Sequence, residues 1–180
     1  MAIYPIRTAT EEDSYAISIL IKRSARALAL NYYSKEQIEG ALETAWGLDS
    51  QLLKDGSYFV VEDAGKLIAA GGWSYRKTLF GNNSEADRNP ELLNPTTDYA
   101  KIRAFFVDPD YARKGIGTQI MIHCEQQAIH KGFSKLELMS TLPGVPLYQR
   151  HGFEGDEITI YKISDRLSID FIQMTKTLSS

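Results

Sequence analysis

The segment Phe105-Phe106-Val107-Asp108-Pro109-Asp110-Tyr111-Ala112-Arg113-Lys114-Gly115-Ile116-Gly117-Thr118 constrains this chain most. An apolar, β-prone run stops at a proline turn, and a short basic, glycine-bearing loop leads straight into a helical pattern. Ile116, Ile120, Cys124 and Ala128 share a helical face, Lys131-Gly132 ends it, and Leu136-Glu137-Leu138-Met139 reads as the next strand. Strand, helix and strand in one sheet imply a right-handed parallel crossover. The chain therefore needs a sheet that is parallel in part, with a helix packed on its face.

The flanking sequence adds antiparallel elements. Ile3-Tyr4-Pro5-Ile6-Arg7 reads as a first strand at a sheet edge, because proline cannot donate to a central ladder. Thr10 caps a helix whose first turn holds Glu11, Glu12 and Asp13 and whose apolar face is Ile17, Leu20, Ile21, Ala25 and Leu28. Asn31-Tyr32-Tyr33 breaks it. Ser34-Lys35-Glu36-Gln37 is a capping box for a second helix ending near Gly47. Tyr58 to Glu62 and Leu67 to Tyr75, joined by Asp63-Ala64-Gly65-Lys66, form a hairpin, with Gly71-Gly72 marking a bulge or a close backbone approach. Gly81 to Thr97 reads as a long polar loop. Tyr99 to Val107 is a strand, Val145 to Arg150 a short helix, and Phe153 to Ile163 and Ile169 to Thr175 the last two strands. The expected fold is α/β, of the α+β mixed-sheet kind: a central mixed sheet with helices on both faces, as a single domain over residues 1–180.

Composition excludes several classes. Of 180 residues, 43% are hydrophobic and 24% charged, which rules out bulk disorder. A formal net charge of -3 disfavours a nucleic-acid partner, whose footprint is basic. Cys124 is the single cysteine, so no intrachain disulfide forms. The run Met1 to Arg7 lacks a secretory pattern and no apolar stretch spans a bilayer. A cytoplasmic protein with no membrane partner is the expectation.

The chemistry lies at the loop. First-turn amides of a helix lack partners and carry partial positive charge, so an anion such as a pyrophosphate is stabilised there. Gly115 and Gly117 allow close approach, Arg113 can fork onto phosphate oxygens, and Lys114 adds a mobile charge. A tight turn with no ligand is the competing reading of a lone Gly-x-Gly, and a generic phosphate-binding domain is a further one. Gly115-Ile116-Gly117-Thr118-Gln119-Ile120 lacks the third glycine of the dinucleotide fingerprint and the Gly-Lys-Ser/Thr of a nucleotide P-loop.

Val107-Asp108-Pro109-x-Tyr111-x-Arg113-Lys114-Gly115-Ile116-Gly117, then a helix, then Leu136-Glu137-Leu138, then Leu147-Tyr148-Gln149-Arg150-His151-Gly152-Phe153, resembles the GCN5-related N-acetyltransferases. The likeness is densest over residues 99–154. It implies acetyl-coenzyme A as co-substrate, no metal, and a primary amine as acceptor in direct, ternary-complex transfer. It also implies that the backbone of Phe105, Phe106 and Val107 pairs with pantetheine as an added strand. The pyrophosphate would meet Arg113, Lys114, Gly115, Ile116, Gly117 and Thr118. Ala112 departs from the Gln or Arg that the family usually places three residues before the first glycine, which puts part of the side-chain grip in doubt. Tyr148 takes the place of the family's tyrosine, the implied general acid for the coenzyme A thiolate. A phenol is protonated at neutral pH and able to donate; a packed aromatic is the structural alternative. Lys101 stands by spacing where some relatives carry a glutamate base. Asp98, Glu137 and Glu43 are the other carboxylate candidates, and Arg103 either binds a substrate carboxylate or faces solvent.

The acceptor is left open between a small molecule and a peptide amine, and a homodimer through the last strands is an open option. A non-catalytic acyl-coenzyme A binding or sensing module is the competing function. Tyr32, Tyr33, Trp46, Trp73 and Tyr75 are candidates for lining an acceptor pocket or for the core. His123, His130 and His151 read as ordinary helix-face or helix-end residues, and Cys124 as a buried core thiol.

Overall fold

The computed structural model describes residues 2–78 and 89–179. Seven strands form one sheet in the order β1-β2-β3-β4-β5-β7-β6. They are β1 (Ile6–Thr8), β2 (Tyr58–Asp63), β3 (Lys66–Ser74), β4 (Ala100–Val107), β5 (Lys135–Ser140), β6 (Glu154–Lys162) and β7 (Ser168–Thr177). The helices are α1 (Ser14–Leu28), α2 (Lys35–Thr44), α3 (Ser50–Asp55), α4 (Ile116–His130) and α5 (Val145–Arg150). The ladders are antiparallel except β4 with β5, which α4 joins as the crossover. Pro5 precedes β1 at the sheet edge, where its missing N–H is harmless.

Helices cover both faces. On one, Ile116, Ile120, Met121, Cys124 and Ala128 of α4 pack on Phe59, Val61, Ile68, Ile102, Leu136, Leu138 and Met174. On the other, Ile17, Leu20 and Ile21 of α1 pack with Leu52, Tyr58, Val60 and Ala70. Ile38 and Ala41 of α2 pack with Trp46, Ile169 and Phe171. The caps follow the sequence. Ser34 Oγ accepts from the Gln37 amide at 3.1 Å, and Gln37 Oε1 accepts from the Ser34 amide at 2.9 Å. Asp13 accepts from the Thr10 amide at 2.7 Å.

One expectation is corrected and another refined. The second helix stops at Thr44 rather than near Gly47, and a third begins at Ser50. Asp49 starts it by accepting from the amides of Gln51 and Leu52 at 3.1 and 3.3 Å, and Gly56, at φ 67°, ends it. The bulge foreseen at Gly71-Gly72 has its extra residue on the partner strand. Gly72 pairs with Arg103 and Ala70 with Phe106, so Gly71 faces both Ala104 and Phe105. Ala104 takes a left-handed φ of 58°, and the glycine supplies room, since a Cβ at Gly71 would lie 2.9 Å from the Phe105 ring. Part of the proposed loop from Gly81 to Thr97 lies outside the described residues. Within its described part, Leu92 bridges to Arg76, whose guanidinium donates to the Pro90 carbonyl at 2.8 Å.

Candidate active site

β4 pairs with β5 only through Ala100 with Leu136 and Lys101 with Glu137. Beyond that level the two strands separate, and Ile102 to Val107 present their β5-side edge without a ladder. The bulge at Ala104 is the local cause, because an extra residue bends its strand and ends pairing. Tyr58, fully buried, donates its hydroxyl to the Ala104 carbonyl at 3.2 Å and pins the kink. Consecutive side chains at the opening turn opposite ways. Phe105 and Val107 pack toward α4, and Phe106 toward α1 and α2.

Asp108 fixes the end of β4. Its carboxylate, 1% exposed, accepts from Lys66 Nζ at 2.8 Å, Arg23 Nε at 3.1 Å and the Asp110 amide at 2.9 Å. Burial alone would raise its pKa toward the neutral form, but Lys66, the Asp110 amide and Arg23 outweigh that and hold the carboxyl below its ordinary range. Sequence reasoning passed over this residue, although Asp before Pro is a familiar cap. The chain then turns through Pro109–Tyr111, with Arg113 at φ 63° and Gly115 at φ 82°. These two left-handed residues turn the chain directly into the 15-residue α4.

Arg113 and Lys114 are both exposed, Lys114 with its ammonium 4.7 Å from the Tyr111 ring centre. Ile116 is buried, so its side chain belongs to the core and it has only an amide to offer a ligand. Gly117 packs closely, since a Cβ there would meet Leu147 at 3.2 Å and Leu147 would have to give. Thr118 Oγ1 lies 3.1 Å from His151 Nε2, tying the start of α4 to the end of α5. Burial lowers the pKa of His151. Ala112 is half-buried and extended, with no polar group to offer.

Tyr148 lies on α5 across the opening, 9% exposed, edge-on to Phe105 at 6.3 Å and to Phe153 at 5.8 Å. Gly144 makes room for its ring, because a Cβ there would stand 3.1 Å from Cε2. Burial pushes the phenol well above its usual range, so it stays protonated. A small cleft of about 80 Å³ runs through the strand opening. It is lined by β4 from Ile102 to Phe106, by Met139 and Thr141, by Phe171 and Ala45 to Gly47, and by Tyr148.

Several candidates fall elsewhere. Arg103 neither reaches out for a substrate nor faces solvent. It is 3% exposed, pairs with Asp49 at 2.9 Å and donates to the Thr78 carbonyl at 2.8 Å. Glu137 is engaged by Lys101 and by Gln173 Nε2 at 3.4 Å. Asp98 accepts from the Asn94 amide at 2.7 Å, and Glu43 lines a neighbouring groove between α1 and α2. Of the five aromatic candidates only Trp46 lines the cleft. Tyr33 is a tie, donating to the Asp170 carbonyl at 2.7 Å and accepting from the Leu142 amide at 2.9 Å. Trp73 is core and stacks edge-on with Phe133 and Tyr75, while Tyr32 is exposed. Cys124 is fully buried, and burial raises its thiol. Among the described residues no cluster of His, Cys, Asp or Glu could hold a metal, and no helix is long and apolar enough to cross a membrane.

Solved structures share this architecture. A GCN5-related N-acetyltransferase from Rhodopseudomonas palustris is similar at 18% identity over 99% of this chain and 98% of that one, with a TM-score of 0.73. The PaiA N-acetyltransferase of Thermoplasma acidophilum, solved with coenzyme A, is 18% identical over 98% and 99%, TM-score 0.66. The ribosomal-protein-S18-alanine N-acetyltransferase of Escherichia coli is 18% identical over 99% and 96%, TM-score 0.62. No curated protein matches the chain in sequence. The sequence profile of the Acetyltransferase (GNAT) family matches residues 22–153, and the chain belongs to that family.

Proposed function

We propose that the protein is an acetyl-coenzyme A-dependent N-acetyltransferase that moves the acetyl group directly to an amine in a ternary complex. The observation that carries this reading is the edge of β4, unpaired from Ile102 to Val107, which opens beside Tyr148 and ends at the glycine loop. The residues present suit the donor. The edge of Phe105, Phe106 and Val107 offers free backbone groups to a pantetheine amide chain. The amides of Ile116, Gly117 and Thr118 open a helix and suit a diphosphate, with Arg113 and Lys114 exposed beside them. Bound acetyl-coenzyme A supplies an activated thioester carbonyl.

The chain's part is positioning and proton supply. The α1- and α2-side half of the cleft orients the amine, and the backbone near Phe106 donates to the carbonyl oxygen as charge develops there. The C–N bond forms as the C–S bond breaks. The amine's proton leaves to water, since among the described lining residues there is no carboxylate. Tyr148 gives its proton to the departing sulfur and regains one from solvent. Products are the N-acetyl amide and free coenzyme A.

A binding module without turnover is the second reading. It draws on Lys101 standing where a base is found in some relatives and on Ala112 in the loop. The two separate in one assay: protein, acetyl-coenzyme A and a panel of amines, with release of free thiol followed. Turnover that collapses in Tyr148→Phe while acetyl-coenzyme A affinity persists supports the enzyme. Binding with no thiol release on any amine supports the module.

A further inference from the structure

The acceptor-side wall of the cleft is aromatic and rigid. Trp46 stacks edge-on with Phe171 at 6.4 Å and tilted against Tyr33 at 5.9 Å. Tyr33 is locked by hydrogen bonds to the backbone of both β7 and the turn after β5. Trp46 therefore stands in a fixed place, between α2 and the end of β5, with Phe106 and Met139 completing an apolar surface.

The charge on that wall is accounted for. Among the described residues lining the cleft, only Arg103 carries charge at neutral pH, and Asp49 neutralises it at 2.9 Å. The nearest acid on the same sheet face, Glu137, is already paired with Lys101. Glu43 and Lys22 line the neighbouring groove, beyond Trp46 and Gly47. Among the described lining residues an entering amine meets no unpaired anion to replace the water it sheds. A monoamine has one proton to release on entry, whereas a polyamine or aminoglycoside brings charges it cannot all release. Aromatic faces reward a flat apolar body with area and edge contacts.

We infer that the acceptor is a monoamine carried on an aromatic or bulky apolar body, seated against Phe106 and Met139 beside Trp46, and not a polycation; this rests on the acetyltransferase reading of the same cleft. The discriminating experiment measures kcat/KM for thiol release with the full chain at fixed acetyl-coenzyme A. The amines are 2-phenylethylamine, tryptamine and phenylalanine methyl ester against spermidine, lysine and kanamycin. The aromatic amines should lead by about 100-fold, the discrimination that a lost apolar contact together with an unpaired charge gives. Trp46→Ala should erase most of that lead while acetyl-coenzyme A binding persists. A gain-of-function variant guards against misfolding of Trp46→Ala. Thr141 makes no side-chain cap bond, and Thr141→Glu places a carboxylate in the lining, which should raise turnover of spermidine relative to 2-phenylethylamine. Preference for spermidine or kanamycin in the wild type overturns the inference and leaves the acetyltransferase reading standing. Silence on every amine, with calorimetric binding of acetyl-coenzyme A, overturns both.

Discussion

Tyr148→Phe separates a chemical role from a packing role, and the structure sets the size of each. The ring contacts that hold Tyr148, edge-on to Phe105 at 6.3 Å and Phe153 at 5.8 Å, are all available to phenylalanine. No described residue hydrogen-bonds the hydroxyl, so its removal strands no partner. Stability should therefore change by no more than about 0.5 kcal/mol, well under the ~1 kcal/mol of an ordinary lost hydrogen bond. Chemistry should suffer far more. Because burial keeps the phenol protonated, it is in the donating state whenever a thiolate must leave. Loss of a positioned acid lowers the rate about 10²- to 10⁴-fold, or roughly 3–5 kcal/mol of barrier at 1.36 kcal/mol per decade. The assay is single-turnover thiol release on the preferred amine, so that product release cannot mask the step. Urea unfolding and acetyl-coenzyme A calorimetry run beside it. A single-turnover rate within about threefold of wild type would refute the acid role. A stability loss above about 1.5 kcal/mol would show that the hydroxyl is structural after all.

Other predictions follow from charge and burial. The double variant Arg113→Ala, Lys114→Ala should weaken acetyl-coenzyme A binding and flatten its dependence on salt; an unchanged salt response would mean those charges face only solvent. Asp49→Ala leaves Arg103 buried without its carboxylate and uncaps α3, so urea unfolding should show a loss of about 3–5 kcal/mol. Asp49→Asn keeps a capping oxygen and should lose less. Burial lowers the pKa of both His123 and His151 from the ordinary 6.5, so the unfolded chain binds more protons in acid. Their contribution to stability is complete above pH 6.5 and declines as pH falls through and below it. Denaturation midpoints between about pH 7 and pH 5 test this, and His123→Gln with His151→Gln should flatten the slope.

What the sequence revealed and what it hid divide along local and non-local lines. Periodicity and caps are local: Ile17, Leu20, Ile21 and Ala25 on α1, the Ser34–Gln37 box and the hairpin at Asp63 to Lys66 are read directly. The short α3 carried a cap and a glycine stop, Asp49 and Gly56, but six residues are too few for a periodic signal. The bulge was visible only as a disturbance near Gly71, since the left-handed residue across from it is alanine, which announces nothing. Arg103 looked like a site residue because its partner, Asp49, is distant in sequence and meets it only after β4 and α3 pack. The glycine loop stood out because anion chemistry is itself local: amides, two glycines and two cations within six residues.

The base position shows how a motif can be present in space and absent in sequence. Lys101 occupies the place of a glutamate, yet a glutamate stands at the same level one strand over, since Lys101 is register-paired with Glu137. Burial pushes the Lys101 ammonium down to about 8 against the opposing pull of Asp98, and Lys101 is also ion-paired with Glu137. Each group thus holds the other in place, and Gln173 adds a further donor to Glu137. Glu137 is thus held on two sides and lies outside the residues lining the cleft. The proton an amine loses in forming the amide goes to water in the proposed reaction. With no carboxylate among the described lining residues, the acceptor should be an amine with a single proton to release to water, which the uncharged wall at Trp46, Phe106 and Met139 also favours.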